Sequence, residues 1–289
     1  MTGPDRDTYR ALIAMAMAED RGTGDVTSEL LFSEPVSVEA RLVAREPLVV
    51  CGMTVAQDVL SHYDPQLQLK VLAEDGQSVA AGGRLADITG PLVPMLAAER
   101  VVLNFLQRLC GIATLTRHYV DLVAGTEAKI YDTRKTTPGW RSLEKYAVCC
   151  GGGCNHRMGL YDGVLIKDNH LAEFGNDLQN RLLILVKQAH AFEGIHFIEV
   201  EVDSLGQLQQ VLTVPGIDIV LLDNMDEACM REAVALRDQA GGVQGEPLLE
   251  ASGGITLANV ATVAGSGVDR IAIGALTHSA QAIDIGLDR

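Results

Sequence analysis

The sequence predicts an α/β protein with two domains, a small mixed α/β domain followed by an α/β barrel. The first observation is a change of rhythm along the chain, from irregular strands and helices to short apolar runs that alternate with amphipathic helical segments. The second is that these runs are continuously apolar, which is typical of parallel strands buried on both faces. The third is that polar or glycine residues follow each run, at the end where barrel strands meet at one rim.

Length and composition bound the possible classes of protein. The chain has 289 residues, of which 47% are hydrophobic and 4% aromatic, so it can bury a large aliphatic core. No apolar run reaches the roughly 20 residues that cross a bilayer, and the N-terminus lacks the pattern of a secretory signal. We therefore expect a cytoplasmic protein without a membrane partner. A pI of about 4.8 argues against a nucleic-acid partner.

The N-terminal domain begins with a predicted helix over residues 7–18, where apolar residues recur at helical spacing. Glycine-containing turns then separate short strand candidates. The predicted strands are 36–50, 67–71 and 84–89. Helical spacing returns over 94–124, and Gly111 predicts a break between two helices there.

The second domain is predicted from six apolar runs. The runs are 128–131, 163–166, 196–202, 217–222, 247–249 and 270–273. The helical segments between them are 178–191, 205–212, 227–239 and 257–264. Strands that alternate with helices favour parallel pairing through right-handed crossovers.

Polar and glycine residues follow all six runs. In order they are Asp132 and Arg134, Lys167 and Asp168, Glu201 and Asp203, Asp223, Ser252 to Gly254, and Gly274. An open doubly wound sheet is the alternative to a barrel, but it binds ligands only near its switch point. We favour the barrel because every strand contributes a residue to the same end.

A cluster of basic residues marks the segment 129–170. Seven basic and four acidic residues give this segment a net charge of +3, whereas the whole chain carries −15. Clustered cations that lose hydration persist mainly where a ligand supplies negative charge. A solvated surface face is the alternative, but glycines and apolar runs interrupt the cations. The cluster therefore predicts an anionic substrate.

The ends of the last two predicted strands indicate a phosphate site. They read ASGG over 251–254 and IGAL over 273–276. Small residues let backbone N–H groups approach a phosphate, and a following helix adds its N-terminal dipole. Glycines that only make tight turns are the alternative. Two such motifs at adjacent late strands favour phosphate, since the final loops of barrels often bind it.

The six cysteines are predicted to be reduced thiols. Four closely spaced residues offer zinc ligands: Cys149, Cys150, Cys154 and His156. Structural zinc sites usually combine two short Cys/His elements, and the sequence has no second one. We therefore favour core or loop thiols.

Long motifs spread over nearly the whole chain carry a family resemblance. They are EDRGTGDVTS, AERVVLNFLQRLCGIATLT, DTRKTTPGWRSLEKYAV, GGGCNHRMGLYDGVLIKDNH, EVEVDS, LLDN, ASGG and IGALTHS. In combination they resemble the quinolinate phosphoribosyltransferase family. The resemblance implies an N-terminal α/β sandwich over 1–113, with room for 276–289 to pack back on it, and an α/β barrel over 114–275.

The resemblance also implies the reaction. A phosphoribosyl group passes from phosphoribosyl pyrophosphate to quinolinate, which loses carbon dioxide, and the product is nicotinate mononucleotide for de novo NAD synthesis. The two carboxylates of quinolinate are implied to meet Arg134, His156, Arg157 and Lys167. Arg100 is implied to reach the site from the partner subunit of a homodimer. Arginine suits this task because its planar fork binds a carboxylate through two hydrogen bonds.

The residues implied for phosphoribosyl pyrophosphate lie at other strand ends. Lys135 would contact its phosphates, and Glu201 and Asp223 would face its ribose and a Mg²⁺ ion, which prefers oxygen ligands. The residues that match the seat of the 5-phosphate are Ser252, Gly253, Gly254, Ile273, Gly274 and Ala275. Thr133 completes the substrate-binding set. The residues implied to act in catalysis are Lys135, Lys167, Glu201 and Asp223.

Several alternatives stay open in the sequence. His156 has the alternative of a core histidine, and Glu201 that of a solvated strand end. Glu199 and Glu201 point to the same face of a strand, and we choose Glu201 because it is closer to the rim. Trp140 departs from the family pattern, where a smaller aliphatic residue is expected.

Two other functions compete with the one that the resemblance implies. One is a related transferase of the same fold with a different acceptor, against which the full set of cations argues. The other is a noncatalytic sensor of a phosphorylated ligand, which needs neither the paired carboxylates nor a metal site.

Overall fold

The computed structural model of the protein describes residues 3–167, 169–170, 177–240 and 246–289. The chain forms two compact units. The first contains the chain up to Arg117 together with Lys135–Gly153 and Leu276–Arg289, and the second contains His118–Arg134 and Cys154–Ala275. The first unit thus includes 276–289 and also 135–153, a segment that the sequence assigned to the barrel. One physical reason is that Trp140 stacks on Phe105, with ring centroids 4.9 Å apart.

The first unit is built on an antiparallel sheet. Its strands are β1 (Ser37–Ala44), β2 (Leu48–Val49), β3 (Gln68–Val71), β4 (Ser78–Val79) and β5 (Arg84–Pro91), with the C-terminal Ile285–Asp288 as a further strand. The four-stranded sheet has Ile285–Asp288 at one edge, then β1, β5 and β3, while β2 pairs with β4. The helices are α1 (Arg10–Arg21), α2 (Val26–Leu31), α3 (Met53–Tyr63), α4 (Leu92–Leu122) and α5 (Arg141–Cys150), and a short 3-10 helix covers Arg6–Thr8.

The predicted break at Gly111 is wrong, because α4 is one helix of 31 residues. A Cβ atom at Gly111 would lie 2.0 Å from the carbonyl oxygen of Gln281. Glycine is therefore required there for the close approach of a distant segment and not for a turn.

The second unit contains the six strands that the sequence predicts. They are β6 (Lys129–Tyr131), β7 (Val164–Ile166), β8 (Ile198–Val202), β9 (Ile219–Asp223), β10 (Leu248–Ser252) and β11 (Arg270–Ala272). They form one parallel sheet in the order β6, β11, β10, β9, β8, β7. The helices of this unit are α6 (Leu178–Ala189), α7 (Leu205–Val211), α8 (Glu227–Gln239) and α9 (Val260–Ala264). The chain then continues into the first unit through α10 (Ala275–His278) and ends in β12 (Ile285–Asp288), the further strand of its sheet.

The burial of the strands follows from their composition. In β9, the residues Ile219 to Leu222 are all buried, as expected for a strand covered on both faces. The predicted fold class, α/β with a mixed N-terminal domain and a C-terminal domain built on parallel strands, is confirmed. Within the described ranges, no helix is both long and apolar enough to cross a membrane.

Candidate active site

The carboxyl ends of the parallel strands bring most of the predicted site residues to one end of the second unit. These are Thr133, Arg134, Lys167, Glu201, Asp223, Ser252, Gly253, Gly254, Ile273, Gly274 and Ala275. Lys167 Nζ lies 3.9 Å from Glu201 Oε2, and Ser252 is the register partner of Asp223 on the neighbouring strand. Asp168, which follows Lys167, lies outside the described residues.

His156 and Arg157 reach this end through a short segment beside β6. Cys154 forms a parallel bridge with Tyr131. The buried carboxylate of Asp132 then accepts a hydrogen bond from the backbone N–H of His156 at 2.9 Å. The bridge and this hydrogen bond thus place His156 and Arg157 beside the end of β6.

The imidazole of His156 is fully engaged inside the second unit. Its Nδ1 lies 2.8 Å from the backbone nitrogen of Arg157, and because a backbone N–H can only donate, Nδ1 must be the acceptor. The ring proton therefore sits on Nε2, which donates to Glu199 Oε2 at 2.8 Å. This arrangement is that of a core histidine, which was the alternative interpretation of His156 in the sequence. The predicted contact of His156 with substrate stays a prediction.

A buried ionic network lies beneath His156. Arg270 Nε donates to Glu250 Oε2 at 2.6 Å, and its guanidinium carbon lies 3.7 Å from the ring centre of Tyr131. Glu250 Oε1 lies 3.5 Å from His156 Nε2. Burial raises the pKa of both Glu199 and Glu250 to about 7, and the charge of Glu199 adds to the rise for Glu250. These carboxyl groups thus hold protons more tightly than exposed ones.

Sequence reasoning missed Glu250 and Arg270. A signal was available, since each is a charged residue in a strand that is otherwise apolar. A charge inside such a strand must find a partner when it is buried. Their pairing across neighbouring strands follows from the register, in which Glu250 lies opposite Arg270.

The guanidinium group of Arg157 lies close enough to that of Arg134 to be affected by its charge. Burial lowers the pKa of Arg157, and the nearby charge of Arg134 lowers it further. Arg157 Nη1 also donates to the carbonyl of Gly163 at 2.9 Å, which fixes its direction. Repulsion between like charges is relieved when an anion binds between them, so this arrangement favours a carboxylate ligand.

The two neighbouring carboxylates of the predicted metal site differ from Glu199. The side chain of Glu201 is 15% exposed, whereas that of Glu199 is fully buried against His156. Asp223 accepts a hydrogen bond from Asn224 Nδ2 at 2.8 Å and ends β9. Mg²⁺ is commonly held by one or two carboxylates, with water and substrate phosphates as its other ligands. The donor set of Glu201 and Asp223 fits such an ion.

Glycine is favoured at both positions after β10 by the backbone conformation, and at Gly253 also by the close approach of Asn224. Gly253 has φ 94° and Gly254 has φ 62°. A Cβ atom at Gly253 would lie 2.1 Å from Asn224 Oδ1, whereas one at Gly254 would meet nothing within 4 Å. The helices that follow β10 and β11 are short, with five residues in α9 and four in α10. Backbone N–H groups, more than a helix dipole, are thus what these loops offer a phosphate.

Two predicted cations belong to the first unit. Arg100 lies on α4 and is exposed, and Lys135 is exposed in the irregular segment that precedes α5. Their predicted roles in binding stay predictions.

Comparison with known proteins identifies the family. Residues 25–110 match the family described as Quinolinate phosphoribosyl transferase, N-terminal domain, and residues 112–288 match Quinolinate phosphoribosyl transferase, C-terminal domain. The chain belongs to the quinolinate phosphoribosyl transferase family. The family boundary near residue 111 is close to the end of the predicted N-terminal domain.

Individual relatives agree with the family. The chain is 42% identical to a nicotinate-nucleotide pyrophosphorylase (carboxylating) of Mycobacterium leprae over 98% of this chain and 97% of that protein. It is 42% identical to a probable nicotinate-nucleotide pyrophosphorylase (carboxylating) of Bacillus subtilis over 93% and 89% of the two chains. The solved nicotinate-nucleotide pyrophosphorylase of Francisella tularensis superposes with a TM-score of 0.88 at 37% identity, covering 98% and 96%.

The departure of Trp140 from the quinolinate phosphoribosyl transferase pattern has a local explanation. Its ring stacks on Phe105 at an interplanar angle of 25°, so the larger side chain fills space against α4. Gly151, which follows α5, approaches α4 so closely that a Cβ atom would lie 2.5 Å from the carbonyl oxygen of Ala113. The six cysteines, all within the described ranges, are thiols and form no disulfide with one another.

Metal-ligating atoms also come together elsewhere in this member of the quinolinate phosphoribosyl transferase family. In the described part of the chain, two groups of three have such atoms within 4.8 Å of one another: Cys51, Asp75 and Cys150, and His156, Glu199 and Glu250. Asp75 already caps α3 by accepting from two backbone N–H groups at 3.0 and 3.1 Å and from the Tyr146 hydroxyl at 2.8 Å. Both oxygen atoms of Asp75 therefore already accept hydrogen bonds within the fold. In the second group, Glu199 Oε2 and Glu250 Oε2 accept hydrogen bonds from His156 and Arg270.

Proposed function

We infer that this chain transfers the phosphoribosyl group of phosphoribosyl pyrophosphate to quinolinate, with decarboxylation, and so produces nicotinate mononucleotide for de novo NAD synthesis. The observation that carries this conclusion is 42% identity to the Mycobacterium leprae nicotinate-nucleotide pyrophosphorylase (carboxylating) over nearly the full length of both chains. The paired guanidinium groups at the strand ends supply the chemistry that a dicarboxylate acceptor needs.

We propose that Arg134, Arg157 and Lys167 bind the carboxylates of quinolinate, and that His156 supports them by holding the backbone of Arg157, since both of its ring nitrogens are already engaged. The depressed pKa of Arg157, which burial and the charge of Arg134 cause, supports this assignment because an anion between the two groups removes the repulsion. Lys167 adds a more exposed ammonium group, since 52% of its side chain is accessible. His156 fixes the backbone of Arg157 through its Nδ1.

We propose that phosphoribosyl pyrophosphate lies between the carboxylates and the glycine loops. Its 5-phosphate would rest on the loops formed by Ser252 to Gly254 and by Ile273 to Ala275, and Lys135 would meet its phosphates. Thr133 follows β6 at the same strand ends. Mg²⁺, held by Glu201 and Asp223, would neutralise charge on the pyrophosphate that leaves.

The reaction needs two successive steps. The pyridine nitrogen of quinolinate attacks C1 of the ribose while the bond to pyrophosphate breaks, and pyrophosphate leaves with the electron pair. Glu201 and Asp223 would stabilise the positive charge that develops near C1. The pyridinium nitrogen then accepts the electrons left at C2 when the C2 carboxylate departs as carbon dioxide, and a proton replaces it. Transfer therefore precedes decarboxylation.

An acceptor competition tests this function. We expect quinolinate to be consumed only when phosphoribosyl pyrophosphate and Mg²⁺ are both present, with nicotinate mononucleotide as the product. Nicotinate, which lacks the C2 carboxylate, should be used less well by about two orders of magnitude or more in kcat/KM, because it loses the interactions of that carboxylate with the half-buried arginines. A preference for nicotinate or another acceptor would favour the related transferase, and binding without turnover would favour the sensor.

We propose further that the protein is a cytoplasmic homodimer in which Arg100 enters the site of the partner subunit. The exposed position of Arg100 on α4 supports this proposal. Helix α2 adds to it, since Val26, Leu30 and Leu31 are 65%, 81% and 69% exposed on a helix of six residues. Large exposed apolar side chains that are grouped in this way are typical of an interface.

Subunit mixing tests the composite site. Arg100→Ala and Lys167→Ala proteins should each be inactive, and activity should return to at most about a quarter of the wild-type value after exchange, because half of the dimers are mixed and each has one intact site. Continued inactivity after demonstrated exchange would show that Arg100 acts within its own chain or outside the site.

A further inference from the structure

The backbone that carries Lys135 is anchored although it has no regular secondary structure. The hydroxyl of Thr277 donates to the carbonyl oxygen of Lys135 at 2.7 Å. Thr137 lies two residues after Lys135 and donates two hydrogen bonds to Glu144. One comes from the backbone N–H of Thr137 at 3.0 Å and the other from its hydroxyl at 2.9 Å. All four residues belong to the first unit. Side chains thus replace the backbone ladder that a strand or helix would supply.

Arg108 on α4 joins the two anchors. Its Nη2 donates to Glu144 Oε1 at 2.7 Å and also to the carbonyl oxygen of Thr277. Its Nη1 donates to the carbonyl oxygen of Ala280 at 2.8 Å. The guanidinium therefore ties Glu144 of α5 to Thr277 of α10 and to Ala280, which follows that helix.

The two anchoring residues, Glu144 and Thr277, differ from Lys135 in their burial. Glu144 and Thr277 are both 0% exposed, whereas Lys135 is exposed. A buried carboxylate is stable only when it is paired and hydrogen-bonded, and Glu144 meets both conditions. The network thus fixes the backbone from the buried side, while Lys135 itself stays exposed.

We propose that Thr277 and Glu144 are positioning residues that hold Lys135 where its ammonium group meets the phosphates of phosphoribosyl pyrophosphate. This inference rests on the proposed function of Lys135. A lysine on a fixed backbone loses less conformational freedom when it binds, so the anchors act on the affinity for this one substrate.

Thr277→Val tests the proposal, since it removes the hydroxyl and keeps the shape of the side chain. We expect the KM for phosphoribosyl pyrophosphate to rise about tenfold, as for one lost hydrogen bond, with the KM for quinolinate unchanged. Thr277→Ser should restore the wild-type value. Thr137→Val removes the hydroxyl bond to Glu144 and should change the same parameter. Equal KM values for phosphoribosyl pyrophosphate in Thr277→Val and the wild type would overturn the inference.

Thr116→Val is the matched control. Thr116 is also 0% exposed in the first unit, and its hydroxyl also donates to one carbonyl, that of Ile112, at 2.8 Å. The substitution removes the same kind of hydrogen bond away from Lys135, so the KM for phosphoribosyl pyrophosphate should stay unchanged. An equal rise in both valine variants would show a general loss of structure and overturn the inference.

A double-mutant cycle separates the inference from the assignment on which it rests. In a Lys135→Ala background, Thr277→Val should change the KM for phosphoribosyl pyrophosphate by less than about twofold, since the positioned group is gone. If the effects of Thr277→Val and Lys135→Ala on this KM were fully additive, the positioning role of Thr277 would be overturned, while the assignment of Lys135 would stand. An unchanged KM in Lys135→Ala itself would remove Lys135 from the phosphate site and overturn both.

Discussion

Nε2 of His156 donates a hydrogen bond of 2.8 Å to Glu199 Oε2 inside the second unit. The other ring nitrogen accepts from the backbone N–H of Arg157 at 2.8 Å. The imidazole therefore connects a buried carboxylate to the backbone of a residue that we propose to bind substrate. A change at Glu199 should reach the site through this ring.

Two substitutions of Glu199 isolate its hydrogen bond. Glu199→Gln and Glu199→Leu both remove the charge, but only glutamine keeps an oxygen that accepts from His156. Glu250 accepts from Arg270 through Oε2 at 2.6 Å, and its Oε1 lies 3.5 Å from His156 Nε2, farther than the 2.8 Å of Glu199 Oε2. We expect the free energy of unfolding of the leucine variant to be about 1–3 kcal/mol lower than that of the glutamine variant, because the buried Nε2–H of His156 loses its acceptor. Urea denaturation measures the difference, and equal stabilities would contradict the account.

Removal of a guanidinium should weaken quinolinate binding. Arg157→Ala or Arg134→Ala should lower the affinity for quinolinate by several kcal/mol, since a buried carboxylate loses a charged partner. Arg157→Lys should be intermediate, because lysine keeps the charge without the planar fork. Arg231→Ala is the control, as the side chain of Arg231 is 58% exposed on α8. Calorimetry that finds unchanged affinity in a folded Arg157→Ala protein would remove Arg157 from the site.

Gly253 and Gly254 form a matched pair for the proposed phosphate loop. Alanine at either position is strained by the positive φ, by about 1–2 kcal/mol. Only Gly253→Ala also meets Asn224, at 2.1 Å. We therefore expect Gly253→Ala to raise the KM for phosphoribosyl pyrophosphate far more than Gly254→Ala does, and Asn224→Ala to rescue part of the loss. Steady-state kinetics that show equal effects would mean that the contact with Asn224 does not shape the loop.

The strands of the second unit could be predicted because their signal is local. Each apolar run stands out from the polar and glycine residues around it, and α8 begins and ends where its pattern indicates, at Glu227–Gln239. The residues at the carboxyl ends of the strands follow from the same pattern, since parallel strands share one end.

Features that depend on distant contacts could not be predicted in this way. Gly111 resembles a helix break in the sequence, but its cause is the carbonyl oxygen of Gln281, far along the chain. The pairing of Arg270 with Glu250 likewise depends on strand register, which the sequence does not specify. Local patterns thus indicate where the proposed site lies, while its supporting network requires the structure.

The fate of the C2 carboxylate of quinolinate tests the central claim most directly. With quinolinate labelled at that carboxyl carbon, the enzyme should release one labelled carbon dioxide for each pyrophosphate formed, and none when phosphoribosyl pyrophosphate is left out. Label that is released without phosphoribosyl pyrophosphate, or that stays in the nucleotide product, would contradict the account.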